Sequence, residues 1–233
     1  MSGLIRYQFI SYIRSLKMIP PLTIFGAWVF ILYAYKNVPI LSSYAVTSIA
    51  IYLTMTWVTM GVLLIEQESE KHILFVQIGK LRYLWGKWIL CLLVVFILML
   101  FAIGYPILMN NFKGPITLIQ IGLSIYSHFF LALFGILVGS FFAFTPFASS
   151  KYSWLLAVLV IVVSISYEGL VEKVEVLKWG LILFPPVTQV IKYLSSDDVV
   201  HITTDFWMHV LWVLVYTVIG FIVLVKIFFK KER

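Results

Sequence analysis

The stretch GVLLIEQESEKHILFVQIGKLRYLWGKWILCLLVV, residues 61–95, places a dense block of charge between two apolar segments. The first apolar run stops at Ile65, and three glutamates follow within the next five residues. Four basic residues are then spaced out as far as Lys87, after which the chain becomes apolar again. Charged side chains are costly inside lipid. The pattern therefore predicts a charged loop outside the membrane that joins two membrane-crossing segments.

The composition of the whole chain predicts an all-α integral membrane protein. Its 233 residues are 62% hydrophobic and 12% charged, with a mean hydropathy of +1.04. A soluble domain carries roughly 25% charged and 45–50% apolar residues. The single cysteine, Cys91, excludes a disulfide within the chain and a metal cluster built from cysteines.

Six apolar segments are candidates for membrane spans, each of which needs about 20 residues. They lie near residues 18–36, 43–65, 88–109, 116–144, 154–168 and 207–229. The stretch 177–194 is also apolar, but Pro185-Pro186 interrupts it. Because broken backbone is not tolerated in lipid, we expect a re-entrant or surface-lying piece within an extracellular region, 168–206. A seventh span is the alternative.

Residues 1–17 are predicted to form an interfacial helix. They lack the apolar core and the cleavage site of a signal peptide. At helical spacing, Ile5, Phe9, Tyr12 and Leu16 share one face, and basic residues occupy the neighbouring face. A polar N-terminal tail is the alternative interpretation.

The distribution of charge predicts the orientation. With the N-terminus and the C-terminus both cytoplasmic, 12 of the 17 Lys and Arg residues lie in inner segments, as expected for a multi-pass protein of the plasma membrane. The net charge of +7 is then explained by orientation and by contact with anionic membrane lipid. No nucleic-acid partner is needed.

The charged block is then cytoplasmic, and its middle is expected to form an amphipathic helix with Ile73, Val76 and Leu84 on one side. This layout resembles the ABC-2 type permease family, the membrane subunits of one class of ABC exporter. That family has an interfacial N-terminal helix, six spans with both ends inside, a cytoplasmic coupling helix between spans two and three, and a partly re-entrant segment before the last span.

The resemblance in the coupling region follows the order of a family motif. That motif runs as a glutamate, a short helix, a turn, and an aliphatic residue with Gly-Lys leading into span three. The matching positions here are Glu70, His72–Ile78, Gly79-Lys80 and Leu84–Lys87. The chain departs from the motif at Lys71-His72, where the family usually has two small residues, and at the turn, which often contains proline in the family.

The resemblance implies a single permease domain, 1–233, that forms the substrate path as a dimer with an identical or similar subunit. It also implies two copies of a separate ABC ATPase subunit, which would bind ATP and Mg²⁺. The residues expected to couple to that ATPase are Glu68, Glu70, His72, Phe75, Gly79, Lys80, Arg82 and Lys87. Small members of the family often export peptides, antibiotics or other amphiphiles, and this is the expected substrate class.

Polar side chains inside the spans are candidates for the substrate path. In the family, spans two and five contribute to a conduit between two subunits, which suggests Thr54, Thr56 and Trp57. His128 in span four is a further candidate. For any one threonine, a hydrogen bond back to its own helix is at least as expected. For the histidine, we favour a hydrogen bond to a neighbouring helix.

Gly135 and Gly139 form a GxxxG pair in span four. Small residues at this spacing let two helices approach closely. We favour packing within one subunit over packing at an interface between permease subunits.

We expect the chain to be neither an enzyme nor a metal or cofactor carrier. Neither Gly-Lys pair is followed by the Ser or Thr of a P-loop, and His72 lacks the H-E-x-x-H partner of a metalloprotease. The alternative from another class is a non-transporting membrane scaffold or sensor subunit. That alternative predicts no ATPase partner.

Overall fold

The computed structural model describes residues 2–145, 152–194 and 202–232, and its regular elements are helices. The first half of the chain forms α1 (Ser2–Arg14), α2 (Ile19–Leu32), α3 (Ile40–Leu63), α4 (Glu68–Ile78) and α5 (Lys80–Leu108). The second half forms α6 (Leu118–Phe144), α7 (Ser153–Ile165), α8 (Tyr167–Lys173), α9 (Leu177–Leu181), α10 (Val187–Ile191), a 3₁₀ turn (Lys192–Leu194) and α11 (Thr204–Lys231). The prediction of an all-α chain is confirmed for these ranges.

Among the described residues, four helices, α3, α5, α6 and α11, are long and apolar enough to cross a membrane. Up to six crossings result if each of two bent helix pairs is one span. One pair is α1 with α2, bent by 78°, and the other is α7 with α8, bent by 67°. The predicted first and fifth spans are thus shorter than expected, with 14 residues in α2 and 13 in α7.

One end of the bundle gathers the last residues of α3, α6 and α11 and the first turns of α5; we call it the charged end. Lysine ammonium groups donate hydrogen bonds to backbone carbonyls there, among them Lys87 to Val62, Lys80 to Glu232 and Lys231 to Ala143. Helix ends leave such carbonyls without intrahelical partners, and cations are favoured beside them. These contacts therefore fix the relative positions of four helices.

The opposite end of the bundle holds the starts of α3, α6 and α11. Leu41, Leu123, Leu194 and Phe206 form one apolar cluster there. A local signal starts α6, because Thr117 accepts a hydrogen bond from the backbone N–H of Gln120, and the Gln120 side chain accepts one from the N–H of Thr117. This is the capping box that the spacing T-x-x-Q favours.

The helix pair α3 and α6 forms the core, and Gly135 and Gly139 are the reason for its closeness. A Cβ atom on Gly135 would lie 2.7 Å from the carbonyl oxygen of Tyr52, and one on Gly139 would lie 2.6 Å from that of Thr56. Both distances are too short for a side chain. The GxxxG pair therefore packs two helices of the same chain, which is the alternative that the sequence favoured.

The proline-containing stretch 177–194 does not form one helix. α9 and α10 flank Pro185-Pro186, and Val187 and Val190 on α10 are buried. The hydroxyl of Tyr216 donates a hydrogen bond to the carbonyl of Leu183 at 2.8 Å. Tyr216 is twelve positions beyond the start of α11, about 18 Å along its axis. The stretch thus lies beside the middle of α11.

One side of the N-terminal helix packs on α5, and the predicted apolar face, which would meet lipid, stays a prediction. Gln8 and Tyr12 are the buried residues of α1, whereas Phe9 is 41% exposed and Leu16 lies beyond the helix with a positive φ of 57°. The reason is a close contact with α5, where a Cβ on Gly86 would lie 2.8 Å from the Gln8 side chain. A glycine on a neighbouring helix thus selects the face of α1 that is buried.

Candidate functional site

The charged stretch forms the predicted short helix, which begins at Glu68, and a second helix that begins earlier than the predicted third span. α4 begins at Glu68, and Glu68 and Glu70 lie in its first turn, where negative charge is favoured by the helix dipole. Gly79 ends α4 with φ +81°, a backbone conformation that side chains disfavour, and α5 begins at the next residue. The break at Gly79 is therefore what separates α4 from the long helix α5.

A buried ion pair lies under this break. The Lys87 ammonium is 2.5 and 2.6 Å from the two carboxylate oxygens of Glu66, and each side chain is 1% exposed. The Tyr83 hydroxyl also donates to Glu66 at 2.9 Å, and Lys87 donates to the Val62 carbonyl at 2.8 Å. Each charge thus has several partners, which a buried pair requires if it is to be stable.

Polar side chains connect α4 to both the N-terminal and the C-terminal helix. The Tyr7 hydroxyl on α1 donates a hydrogen bond to the Glu70 carboxylate. The Lys71 ammonium forms a salt bridge with Glu232, just after α11, and both side chains are largely buried. A displacement of α4 would therefore be transmitted to α1 and α11.

An aromatic contact joins α4 to α5 and α11. The Phe75 ring lies edge-on to Tyr83, with ring centroids 5.1 Å apart, and to Phe228, with centroids 5.9 Å apart. Lys71 stands over the same Phe75 ring at 5.6 Å. We call the set Tyr7, Glu70, Lys71, Phe75, Tyr83, Phe228 and Glu232 the α4 hub.

The other side of α4 is exposed. Val76 is 89% and Ile73 is 59% exposed, and His72 lies beside them. The expectation that Leu84 shares their face is wrong, because Leu84 belongs to α5 and is fully buried. An exposed apolar strip thus faces away from the α4 hub.

The eight predicted coupling residues divide into three groups. Glu68, His72, Gly79 and Arg82 are exposed. Glu70 and Lys80 are joined to Tyr7 and to the carbonyl of Glu232. Phe75 and Lys87 are buried, so neither is available for direct contact with a partner, and their coupling role stays a prediction. Lys87 lies two turns inside α5, which begins eight residues before the predicted third span.

Three of the four predicted path residues cannot line a surface of this chain. Thr54, Thr56 and His128 are buried, at 4%, 3% and 0% exposure. Thr56 donates to the carbonyl of Tyr52 at 2.9 Å, one turn back on its own helix. Trp57 is half-buried and packs edge-on against Trp154 of α7, with ring centroids 6.2 Å apart.

His128 joins α6 to α3. Its Nδ1 lies 2.7 Å from the carbonyl oxygen of Ser124, which can only accept, so Nδ1 carries the proton. Its Nε2 lies 2.9 Å from the Thr47 hydroxyl. Both ring nitrogens therefore have partners, as expected for a histidine that is hydrogen-bonded to a neighbouring helix.

Sequence reasoning missed Glu66, Tyr7 and Glu232 as members of the charged end. Their partners are 21, 63 and 161 positions away along the chain. The position of Glu66 directly after an apolar run was the one available signal, since an acidic residue at a span boundary calls for a nearby cation. In the described ranges, no group of three His, Cys, Asp or Glu residues is placed to hold a metal ion.

Comparisons with protein-family models, with curated proteins and with solved structures find no match to this chain. The likeness to ABC-2 type permeases therefore stands on the layout of the segments and on the coupling-region motif.

Proposed function

We propose that this chain is the permease subunit of an ATP-driven ABC exporter in the plasma membrane, with both termini cytoplasmic. The observation that carries the proposal is the position of α4. It lies at the charged end, exposes an apolar strip on one side, and contacts α1, α5 and α11 through the α4 hub on the other. A separate ATPase that binds the strip would move several helices together.

Contacts at the two ends support six crossings. The Lys17 ammonium donates to the Leu64 carbonyl at the charged end, whereas the Asn111 amide donates to the Tyr33 carbonyl at the opposite end. α2 therefore runs between the two ends. The chain between the end of α6 and the start of α11 must make the same passage, and it contains α7. The length of α2 is about 21 Å and that of α7 about 20 Å, so each helix alone is shorter than a hydrocarbon core of about 30 Å.

The substrate path is proposed to lie between two permease subunits, next to α3 and α7. Trp57 and Trp154 contact each other there, and Leu53 is 40% and Trp154 46% exposed. This apolar face suits an amphiphilic cargo such as a peptide or an antibiotic. The buried threonines of α3 and His128 have no part in the path.

The test is a pull-down of the tagged chain from its native membrane, with co-purifying proteins identified. Val76→Asp places a charge on the exposed strip, and Val176→Asp is its matched control. Val176 is 80% exposed and lies outside the charged end. We expect a P-loop ATPase to co-purify with the parent chain and with Val176→Asp, and its recovery to fall about tenfold with Val76→Asp.

The opposite result is an ATPase-free preparation of a correctly folded parent chain. It would remove the exporter proposal and favour the scaffold or sensor alternative. Equal recovery of the ATPase with both variants would keep the exporter but place its contact elsewhere on the chain.

A further inference from the structure

Two cavities adjoin each other beside α11. The first, of about 370 Å³, is lined by polar and apolar residues, and we call it the polar chamber because Lys178 and Asp205 lie in it. The second, of about 600 Å³, lies between α6, α11 and residues 182–185, and its lining is almost wholly apolar. Ile182 and Trp212 line both, so a polar chamber opens into an apolar groove.

We propose that this composite site binds one membrane phospholipid with a primary ammonium headgroup, as in phosphatidylethanolamine. An acyl chain would occupy the apolar groove and the headgroup would occupy the polar chamber. The site is separate from the exposed strip of α4 and from the face beside α3 and α7, so this inference does not depend on the exporter function.

The dimensions of the apolar groove suit an acyl chain. Trp212 and Leu224, its first and last lining residues on α11, are about 18 Å apart at 1.5 Å per residue. One leaflet contributes about 15 Å of a hydrocarbon core of about 30 Å. The two cavity volumes both lie within the range of about 300–1,000 Å³ that ligand sites occupy.

The polar chamber carries charges of both signs. Lys178 and Asp205 line it, and within the described residues they form no ion pair with each other. A zwitterionic headgroup would pair with both charges, because its phosphate would contact Lys178 and its ammonium would contact Asp205. Trp179 and Met208, which line the chamber, are 80% and 68% exposed, and tryptophan is enriched at the headgroup level of membranes.

Hydrogen bonding distinguishes between two zwitterionic headgroups. A primary ammonium has three N–H donors and could donate directly to the Asp205 carboxylate in the chamber. A choline headgroup has no such donor and is usually held by enclosing aromatic rings. Tyr167, Trp179 and Trp212 also line the chamber, so a comparison of the two lipids decides between hydrogen bonding and ring enclosure.

The test is native mass spectrometry of the purified full chain in detergent. Phosphatidylethanolamine and phosphatidylcholine with identical acyl chains are added at equal concentration. We expect one phosphatidylethanolamine per chain, retained about tenfold more than phosphatidylcholine. Equal retention of the two lipids by the parent chain would overturn the headgroup assignment.

Two pairs of variants separate the groove from the chamber. Val215→Trp fills the apolar groove, whereas Val218→Trp changes a valine of α11 that is also exposed, at 50% against 40%, and does not line the groove. We expect only Val215→Trp to reduce retained lipid, by about tenfold. Asp205→Asn should abolish the preference for phosphatidylethanolamine, and Glu172→Gln, an exposed control in α8, should preserve it.

Three results would overturn the proposal. One is equal lipid retention by Val215→Trp and Val218→Trp at unchanged thermal midpoints. Another is an unchanged headgroup preference in Asp205→Asn. The third is that the parent chain retains a second copy of itself in place of lipid, and that only Val215→Trp loses this copy. The groove would then be a contact between protein chains.

Discussion

Replacement of Lys87 by methionine tests the buried ion pair at the charged end. Lys87→Met keeps most of the apolar stem but removes the ammonium that Glu66 contacts at 2.5 and 2.6 Å. The Glu66 carboxylate, 1% exposed, would keep only the Tyr83 hydroxyl as a polar partner among those described above. The Val62 carbonyl at the end of α3 would also lose its donor.

Removal of one member of a buried ion pair costs about 3–5 kcal/mol. For a chain of this size, about 1 kcal/mol shifts the thermal midpoint by about 2–4 °C. We therefore expect Lys87→Met to lower the midpoint by about 6–20 °C. The measurement is the temperature at which the detergent-solubilised chain leaves its monodisperse peak in size-exclusion chromatography.

A double variant and a control make the result specific to the pair. Glu66→Gln combined with Lys87→Met removes both charges, so we expect it to recover at least about half of the loss, which measures the coupling between the two residues. Lys113→Met changes an exposed lysine and should lie within about 0.5 kcal/mol of the parent. A midpoint of Lys87→Met equal to that of Lys113→Met would refute the buried pair.

Two further variants test the core and the α4 hub. Gly139→Ala should destabilise the chain by about 1–3 kcal/mol in the same thermal assay, because its Cβ would lie 2.6 Å from a carbonyl oxygen of α3. Gly122→Ala is the control, because this glycine lies on the same helix with open space around it and its replacement should leave the midpoint unchanged. Equal midpoints for the two variants would contradict the close packing. For the proposed exporter, Lys71→Gln should leave ATPase binding intact but reduce transport-coupled ATP hydrolysis, measured in proteoliposomes, because it removes the ion pair between α4 and α11 and leaves the Phe75–Phe228 contact as the link. Lys113→Gln, which changes an exposed lysine at the opposite end of the bundle, is the control and should retain coupled hydrolysis.

Local signals made some elements predictable. The capping spacing at Thr117 and Gln120 marks the start of α6, and the GxxxG pair on the same helix correctly indicates close packing inside the chain. Gly79 correctly marks a turn. Each of these features depends on residues within a few positions of each other, which a single sequence displays directly.

The sequence does not reveal contacts in which a distant partner decides the role of a residue. Lys87 was interpreted as a surface charge because its apolar surroundings begin only at Trp88, yet Glu66 holds it inside the bundle. His128 and Thr47 are 81 positions apart. The buried face of α1 depends on Gly86 of α5. Hydrophobic periodicity contains no information on such pairs.

The salt bridge between Lys71 and Glu232 has a consequence for the order in which the protein is made. The two residues are 161 positions apart, and a ribosome adds about 5–20 residues per second. α4 is therefore synthesised about 10–30 s before its anchor on the last turn of α11. During that time Lys71 has no Glu232 to contact, so a nascent chain carries α4 without this anchor. A partner that recognises only anchored α4 would thereby bind chains in which α11 has been made and ignore shorter ones.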